Sequence, residues 1–491
     1  MDTRQALPTK LSPPPLPGPT LSPRQQMLVG PHFIDQAIAI VGIVHSTGQL
    51  QSFYAAMGIP FLVDTLLRYL LPILIFVRLA VRYKAAFRVL QSDWFLLAFN
   101  ALVFLSFAWS IVPSITILGL RSEYIQGVMI ALFLATRFSM IQQVRLITIA
   151  LGICAALSFF LGVAIPSTGV HFGGVHDGAW KGFFGHKNYF SAGMTIGAAA
   201  CLVQILDPRE RRIWHLFLLV SFVGLSFLST SKTGQVLLVA ICAIIFIYRN
   251  YRWRGMRTLL ILYLGVVAVT FGYTVLMAAW DQIFISIGRD PTLSGRTLIW
   301  EVLREPFISN RPILGYGRSA FWFSGTSIGA FYSRIGFLPT HAHNGWYDLI
   351  LDVGYVGLLL YILSAIQAWV RVFRLAYSSN HAAAIWPLAF FAIFYINNYT
   401  ESLMLYKLNL VWTLYMAACW SLREAIVDEK VFAPESGPPL NGRSPALVAV
   451  TQNGASNNGI AGQNGTAAQN GAAAQNGTAA QNGAVPYRDE S

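Results

Sequence analysis

Apolar runs close to the roughly 20 residues that a bilayer core requires recur along most of this chain, separated by short polar breaks. They cover 33–49, 59–77, 94–111, 124–136, 146–165, 189–206, 214–228, 234–247, 259–280, 345–370, 382–396 and 404–419. Runs of this kind predict transmembrane helices, so the pattern predicts an all-α polytopic membrane protein of about 12 spans. The first two runs are the least regular, because Asp35, Asp64 and Arg68 sit in or beside them, and the run at Tyr124 is short. One interruption is long, 281–343, and the parity of the spans makes it an exterior loop. Within it Leu298, Ile299, Val302, Leu303 and Phe307 recur at spacings that build one apolar helical face, with Trp300, Trp322 and Phe323 nearby. That pattern predicts a small ordered cap lying against the membrane surface.

The two ends read differently. Residues 1–32 include LSPPPLPGPTLSP, too rich in proline for a helix and without the apolar centre of a cleavable signal, which predicts a disordered cytoplasmic leader. Residues 425–491 turn polar and then repeat QNG every six residues with no large apolar side chain, which predicts a disordered cytoplasmic tail. Between them, 33–424 is expected to be the transmembrane catalytic domain, including the loop 281–343. Basic clusters at Arg78, Arg82, Lys84 and Arg88, at Arg137 and Arg145, at Arg209 to Arg212, at Arg249 to Arg257 and at Arg371 and Arg374 all fall on one side of the predicted helices. The rule that cytoplasmic loops retain Lys and Arg puts these clusters and both termini in the cytoplasm, as in a bacterial inner-membrane protein.

Composition agrees with the pattern. The chain is 55% hydrophobic and 11% charged with a mean hydropathy of +0.54, against roughly 45–50% apolar and 25% charged in soluble domains. A net charge of +13 would suggest nucleic acid in a soluble protein; here the basic residues lie between apolar runs, and no nucleic-acid partner is expected. Cys154, Cys201, Cys242 and Cys419 lie inside apolar runs with neither pairing nor metal-ligand spacing, and are read as small buried hydrophobes.

Four exterior stretches carry candidate chemistry. GAWKGFFGHKN, 178–188, offers His186, Lys187 and Asn188 beside glycines that allow close backbone approach; it also fits a tight re-entry loop with a snorkelling lysine. STSKTG, 229–234, presents Lys232 at a helix start, where a phosphate can bind, and it is equally ordinary turn chemistry. SGRTLIW and GYGR supply Arg296 and Arg318, and the planar guanidinium fork suits pyrophosphate. THAHNGW places His341, His343 and Asn344 where water meets a long apolar run. An imidazole there can accept a proton from a lipid-borne substrate, while the same residues could simply cap the helix that follows. Asp352 lies nine residues beyond His343, roughly 13 Å along a helix, so it is expected to pair with some other polar group.

These stretches resemble a known family. His343-Asn344, nine residues, Gly354, two residues and Gly357 are similar to the signature of the O-antigen ligase and polysaccharide polymerase superfamily, and SGRTLIW followed by PILGYG resembles its exterior loop. GAWKGFFGHKN and STSKTG resemble more narrowly the succinoglycan-type exopolysaccharide polymerases. The resemblance implies a GT-C-like architecture and transfer of a glycan from an undecaprenyl-pyrophosphate-linked oligosaccharide to an acceptor hydroxyl on the periplasmic face, with no cofactor, nucleotide sugar or metal. It implies that His343 is the catalytic base and that Arg296 holds the donor pyrophosphate. Lys232 stands where ligases carry arginine, which keeps the charge and loses the bidentate fork. From charge and placement, Lys187 and Arg318 are expected to bind the same pyrophosphate, with His341, Asn344, His186 and Asn188 around them.

The chemistry is economical, since the leaving pyrophosphate stores the energy and the protein must position the acceptor, take its proton and neutralise negative charge. Three readings stay open on the sequence: a polymerase of lipid-linked repeat units, a ligase moving glycan onto lipid A core or another acceptor, and a polysaccharide transporter or flippase. The expected partners are the lipid-linked oligosaccharide, the bilayer, and other polysaccharide export and chain-length proteins. Midplane ionisable residues and internal repeats, the marks of a transporter, are not evident.

Overall fold

The computed structural model describes residues 33–432 apart from 49, 208–211, 251–295, 324, 336, 338, 380–381 and 406. The expected leader, the expected span at 259–280, the opening of the long loop at 281–295 and residues 433–491 of the expected tail lie outside the described residues, whereas 425–432, expected to be disordered, continue the last helix. The described chain is helical, and β pairing within it is confined to one isolated bridge between Val170 and Trp180.

The principal helices are α1 (Phe33–His45), α2 (Phe61–Val81), α3 (Trp94–Leu105), α4 (Ile125–Arg137), α5 (Met140–Ala164), α6 (Lys187–Ile205) and α7 (Arg212–Leu228). They continue with α8 (Lys232–Asn250), α9 (Arg296–Val302), α10 (Gly325–Ile335), α11 (Gly345–Ser378), α12 (Trp386–Thr400) and α13 (Leu410–Phe432). Each expected run inside the described residues meets one of these helices, although the last, expected from 404, starts only at Leu410. Four described stretches are long and apolar enough to cross a membrane: Pro113–Arg137, Met140–Ala164, Gly345–Tyr377 and Ala382–Thr400. A fifth is the pair Tyr83–Leu90 and Trp94–Ala108, bent by 98°. Phe33–His45, Arg212–Leu228 and Lys232–Tyr248 are apolar but shorter.

Local chemistry explains the helix starts. Asp93 caps α3 by accepting from Leu96 N at 2.9 Å, and its second oxygen accepts from Ser364 Oγ at 2.9 Å, which ties α3 to α11. Ser139 and Gln142 form a capping box at the start of α5. The acids that interrupted the first two runs are each paired. Asp35 is buried between Arg137, at 2.5 Å, and Arg78, at 3.3 Å, and Asp64 meets Arg68 one turn on at 2.7 Å. A carboxylate at that depth persists because its partner travels with it.

Helix α13 packs against α4 and α11, α11 against α3, and α6 against α5 and α7. Tyr361, Tyr395 and Tyr415 meet in the core with hydroxyl separations of 3.1 Å, so these buried phenols satisfy one another. Outward-facing Leu62, Leu66, Ile73 and Phe76 on α2 and Ile213, Phe217 and Val220 on α7 are exposed apolar side chains of the kind lipid covers. All four cysteines are free; three are buried as expected, but Cys242 is exposed, because it lies on an outer face of α8.

The long loop, where described, is an ordered cap with its own apolar cluster of Ile299, Leu303, Phe307, Tyr316, Phe321 and Phe331. Of the predicted face, Ile299, Leu303 and Phe307 are buried and Val302 is half-buried, whereas Leu298 is exposed on the flank of the stripe. The helical path breaks at Glu305, ahead of Pro306, as the missing N–H and the steric demand of proline require.

The cap is stitched to α11 at a second break. Gly354 has φ 67° and ψ −169°, and a Cβ there would collide with the Ile313 carbonyl. Freed helix groups are taken up by the segment 312–317: Tyr316 N donates to Leu351 O at 2.7 Å and Gly317 N to Asp352 O at 3.0 Å. Tyr355 N donates to Pro312 O at 2.7 Å and Val356 N to Ile313 O at 3.1 Å. PILGYG and the Gly354 position are therefore two halves of one joint.

Candidate functional site

The polar end of α11 is built from its cap upward. Asn344 is the N-cap residue, its Oδ1 accepting from Trp346 N at 3.0 Å, so this part of the motif is structural. His343, just before it, holds φ 53°, a left-handed conformation uncommon for a residue with a Cβ. The turn is pinned from both sides: Trp300 Nε1 donates to Ala342 O at 2.9 Å, and Ala342 N donates to both oxygens of Asp348 at 3.2 Å. Asp348 also accepts from Trp322 Nε1 at 2.7 Å and from Ser402 Oγ. Backbone strain at His343 is thus held by the surrounding bonds, a pattern that accompanies functional positions.

Both imidazoles face one carboxylate. His343 Nδ1 lies 3.7 Å and His341 Nε2 3.8 Å from Glu401 Oε2, and the two rings are 4.0 Å apart between centroids. His341 is buried and shares its Nδ1 with Thr340 Oγ1 at 2.9 Å, while the His343 side chain is 29% exposed and is the one a substrate can reach. On Oε1, Glu401 accepts from Arg296 Nη2 at 3.0 Å and from Asn188 Nδ2 at 2.6 Å. Arg296 spends a second N–H on the Thr400 carbonyl, and Ser231 Oγ donates to Asn188 Oδ1 at 3.1 Å. Four sequence-distant stretches, 178–188, 229–234, the start of α9 and 341–344, therefore converge on the residue that follows α12.

Burial alone would raise the Glu401 carboxyl, but the two histidines and the Arg296 charge outweigh it and hold the group well below the usual carboxylate range. The acid stays ionised. His186 goes the other way for a base: burial lowers its imidazole to about 4 despite the pull of Glu401, so it is neutral near pH 7. Its Nδ1 accepts from Asn188 N at 3.3 Å, and its ring lies 5.6 Å from that of His171 and 5.5 Å from that of His176.

The remaining expected residues scatter. Lys187 opens α6 and is half-buried next to the Asn188 link. Lys232 heads α8 and is exposed, its Nζ 3.5 Å from Gln235 Oε1, while its neighbour Ser231 makes the link inward. Arg318 is fully buried, pairs with Glu123 at 3.1 Å and lies over the Tyr124 ring at 5.5 Å. Asp352 accepts from Ser319 N at 2.8 Å, the other polar partner its depth demanded. Glu401 escaped the sequence reading. The available signal was an acid placed between two apolar runs on the predicted exterior side, in NNYTES.

His341, His343 and Glu401 also bring three ligand atoms within 4.8 Å of one another, close enough for a divalent cation. Arg296 already places a positive charge on the same carboxylate, which opposes a second cation there. What the arrangement offers chemically is a base held by an ionised acid, with a guanidinium alongside for anionic oxygen.

Residues 215–362 match the sequence model of a family described as O-antigen ligase. The exopolysaccharide production protein ExoQ of Rhizobium meliloti (strain 1021) is 25% identical over 309 residues, 59% of this chain and 67% of ExoQ.

Proposed function

This chain resembles the O-antigen ligase and polysaccharide polymerase superfamily, and we propose that it polymerises exopolysaccharide repeat units, taking the growing glycan from an undecaprenyl-pyrophosphate donor on the periplasmic face of the inner membrane. The single observation that carries the reading is the sharing of Glu401 by His343 and Arg296. In this scheme His343 removes the proton from the acceptor hydroxyl as the oxygen attacks the donor's anomeric carbon. The bond from that carbon to the pyrophosphate oxygen breaks, and the lipid pyrophosphate departs with the bonding pair. Glu401, ionised throughout, holds the imidazole in orientation and stabilises the imidazolium that forms. The Arg296 side chain is partly exposed and is placed to meet the pyrophosphate as negative charge develops. Lys187 and Lys232, on the two stretches joined through Asn188 and Ser231, supply further positive charge along the donor's path. No step needs a metal.

The chain's likeness to a protein named for exopolysaccharide production favours polymerisation over ligation to lipid A core. Purified protein given lipid-linked repeat units should extend them without an ion gradient. Elongation absent from wild type and His343→Ala alike removes the reading. Cells lacking the protein separate the alternatives: single repeat units accumulate if it polymerises, and long chains remain on the lipid carrier if it ligates.

A further inference from the structure

Next to the link from Asn188 to Glu401 stands a group of imidazoles that the scheme above does not use. His171, His176 and His186 form a near-equilateral triangle, with ring centroids 5.7, 5.6 and 5.5 Å apart. A tight loop brings the first two to the third. The bridge between Val170 and Trp180 closes that loop, and within it Gly178 N donates to His171 O at 2.9 Å and Ala179 N to His176 O at 3.0 Å. His186 is the N-cap of α6. Asn188, two residues on, bonds the same Glu401 oxygen that Arg296 meets, so the triangle borders the proposed reaction centre.

The chemistry of the triangle is that of a donor to anions. His186 Nδ1 accepts from Asn188 N at 3.3 Å, which leaves Nε2 as the N–H of the neutral ring. A proton there disfavours a metal ion, which would need that lone pair. His171 Nε2 is buried with no hydrogen-bond partner. Burial lowers the His171 imidazole, and Lys181, His176 and Lys187 lower it further, so two ammonium charges act on the same space. Asp177, the one acid of the loop, is exposed and accepts from Gly173 N at 2.8 Å. Imidazole N–H groups flanked by lysines suit the oxygens of a phosphate.

Trp180 connects this loop to the lipid-facing surface. Its ring lies 6.2 Å from that of Phe159 and fills the place of a side chain on Gly162, both on α5, and its backbone N–H donates to Leu228 O at the end of α7 at 3.0 Å. Phe159 and Leu228 line the head of a furrow between α5 and α7, made of two cavities of about 460 and 530 Å³ that share Gly152, Ala156, Phe217 and Leu218. Its other end lies at Arg145 and Trp214, roughly 21 Å away along either helix. Ile149, Ile153 and Val220 beside it are exposed, so it opens sideways to lipid. One leaflet of hydrocarbon is only about 15 Å deep, and an occupant that fills the furrow therefore carries a longer tail than one leaflet holds. We infer that the three histidines with Lys181 and Lys187 seat the donor's pyrophosphate and that the donor's polyprenyl tail lies in the furrow between α5 and α7. This rests on the glycan-transfer reading above, and it adds where the lipid carrier sits and names His171, His176 and Lys181 as groups that touch it.

The test uses purified full-length protein in nanodiscs and two probes, inorganic pyrophosphate and undecaprenyl pyrophosphate, with affinities read by competition against radiolabelled inorganic pyrophosphate. His171→Ala and His176→Ala should each weaken both probes about tenfold. His171→Gln, which keeps an N–H donor, should recover most of the loss, which a merely misfolded loop would not do. Unaltered affinities in both alanine variants overturn the pyrophosphate seat. Gly224 lines the furrow with open space where a Cβ would stand, so Gly224→Leu obstructs the furrow without displacing a neighbour. It should weaken the lipid probe and leave inorganic pyrophosphate in place; an unchanged affinity for the lipid probe overturns the path of the tail and leaves the seat to free phosphates. Binding needs no turnover, so the seat can fail while glycan transfer stands, and transfer can fail while the seat stands.

Discussion

Asn188 and Glu401, 213 positions apart, are joined by a hydrogen bond of 2.6 Å, and through it the start of α6 holds the acid that both histidines face. Asn188 in turn takes Ser231, so three interior chain segments fix one carboxylate. The acid is therefore an organiser: it orients imidazoles on one oxygen and a guanidinium on the other. Glu401→Gln keeps the shape and removes the charge. It should lower glycan transfer by roughly 10²–10⁴-fold, the range of a disabled acid–base pair, while donor binding changes far less. Single-turnover transfer with lipid-linked donor separates the two quantities, and a variant of wild-type rate would remove the organising role.

His343 and His341 share that carboxylate but differ in access, one partly exposed and the other buried against Thr340. His343→Ala should abolish measurable transfer and leave the protein monodisperse in detergent. His341→Ala should lose less activity and more thermal stability, because a buried ring is replaced by a void. Equal activity losses in the two variants would mean that the pair acts as one unit.

Arg318 is expected to behave as a structural residue in the cap joint. Replacing it with methionine leaves Glu123 without its partner and should cost about 3–5 kcal/mol of stability, read as a lower unfolding midpoint. Donor KM measured on the folded fraction should stay put. A pure rise in donor KM would return Arg318 to the pyrophosphate.

Much of this was legible from periodicity, because lipid imposes long apolar runs and α1 to α8 and α11 to α13 fall where the runs fall. The cap's helical face was equally visible, since Ile299, Leu303 and Phe307 must bury one stripe. What periodicity cannot carry is long-range pairing. Arg318 and Arg296 look alike as sequence, yet Gly119 leaves room for the buried guanidinium of one beside half-buried Glu123 while the other reaches Glu401 across a gap of 105 positions. Glu401 is a lone acid in a polar turn, and only the folding of α12 against α8 and α6 reveals its company.

Acidification offers a test that needs no substrate. His186 is lowered to about 4 by burial from an ordinary 6.5, so between those pH values the unfolded chain binds a proton that the folded chain does not. Stability from this group is present above 6.5 and is lost as pH falls toward 4. Glu401 is also depressed, from an ordinary 4.5, so its contribution is fully present above 4.5 and declines as pH falls below that value. His186→Asn keeps an acceptor for Asn188 N and removes the titration. Unfolding midpoints of wild type should fall between pH 6.5 and 4, and those of His186→Asn should fall less. Parallel slopes would show that His186 is not the group that titrates. A steep further loss below 4, diminished in Glu401→Gln, would mark the second carboxylate step and separate the two residues.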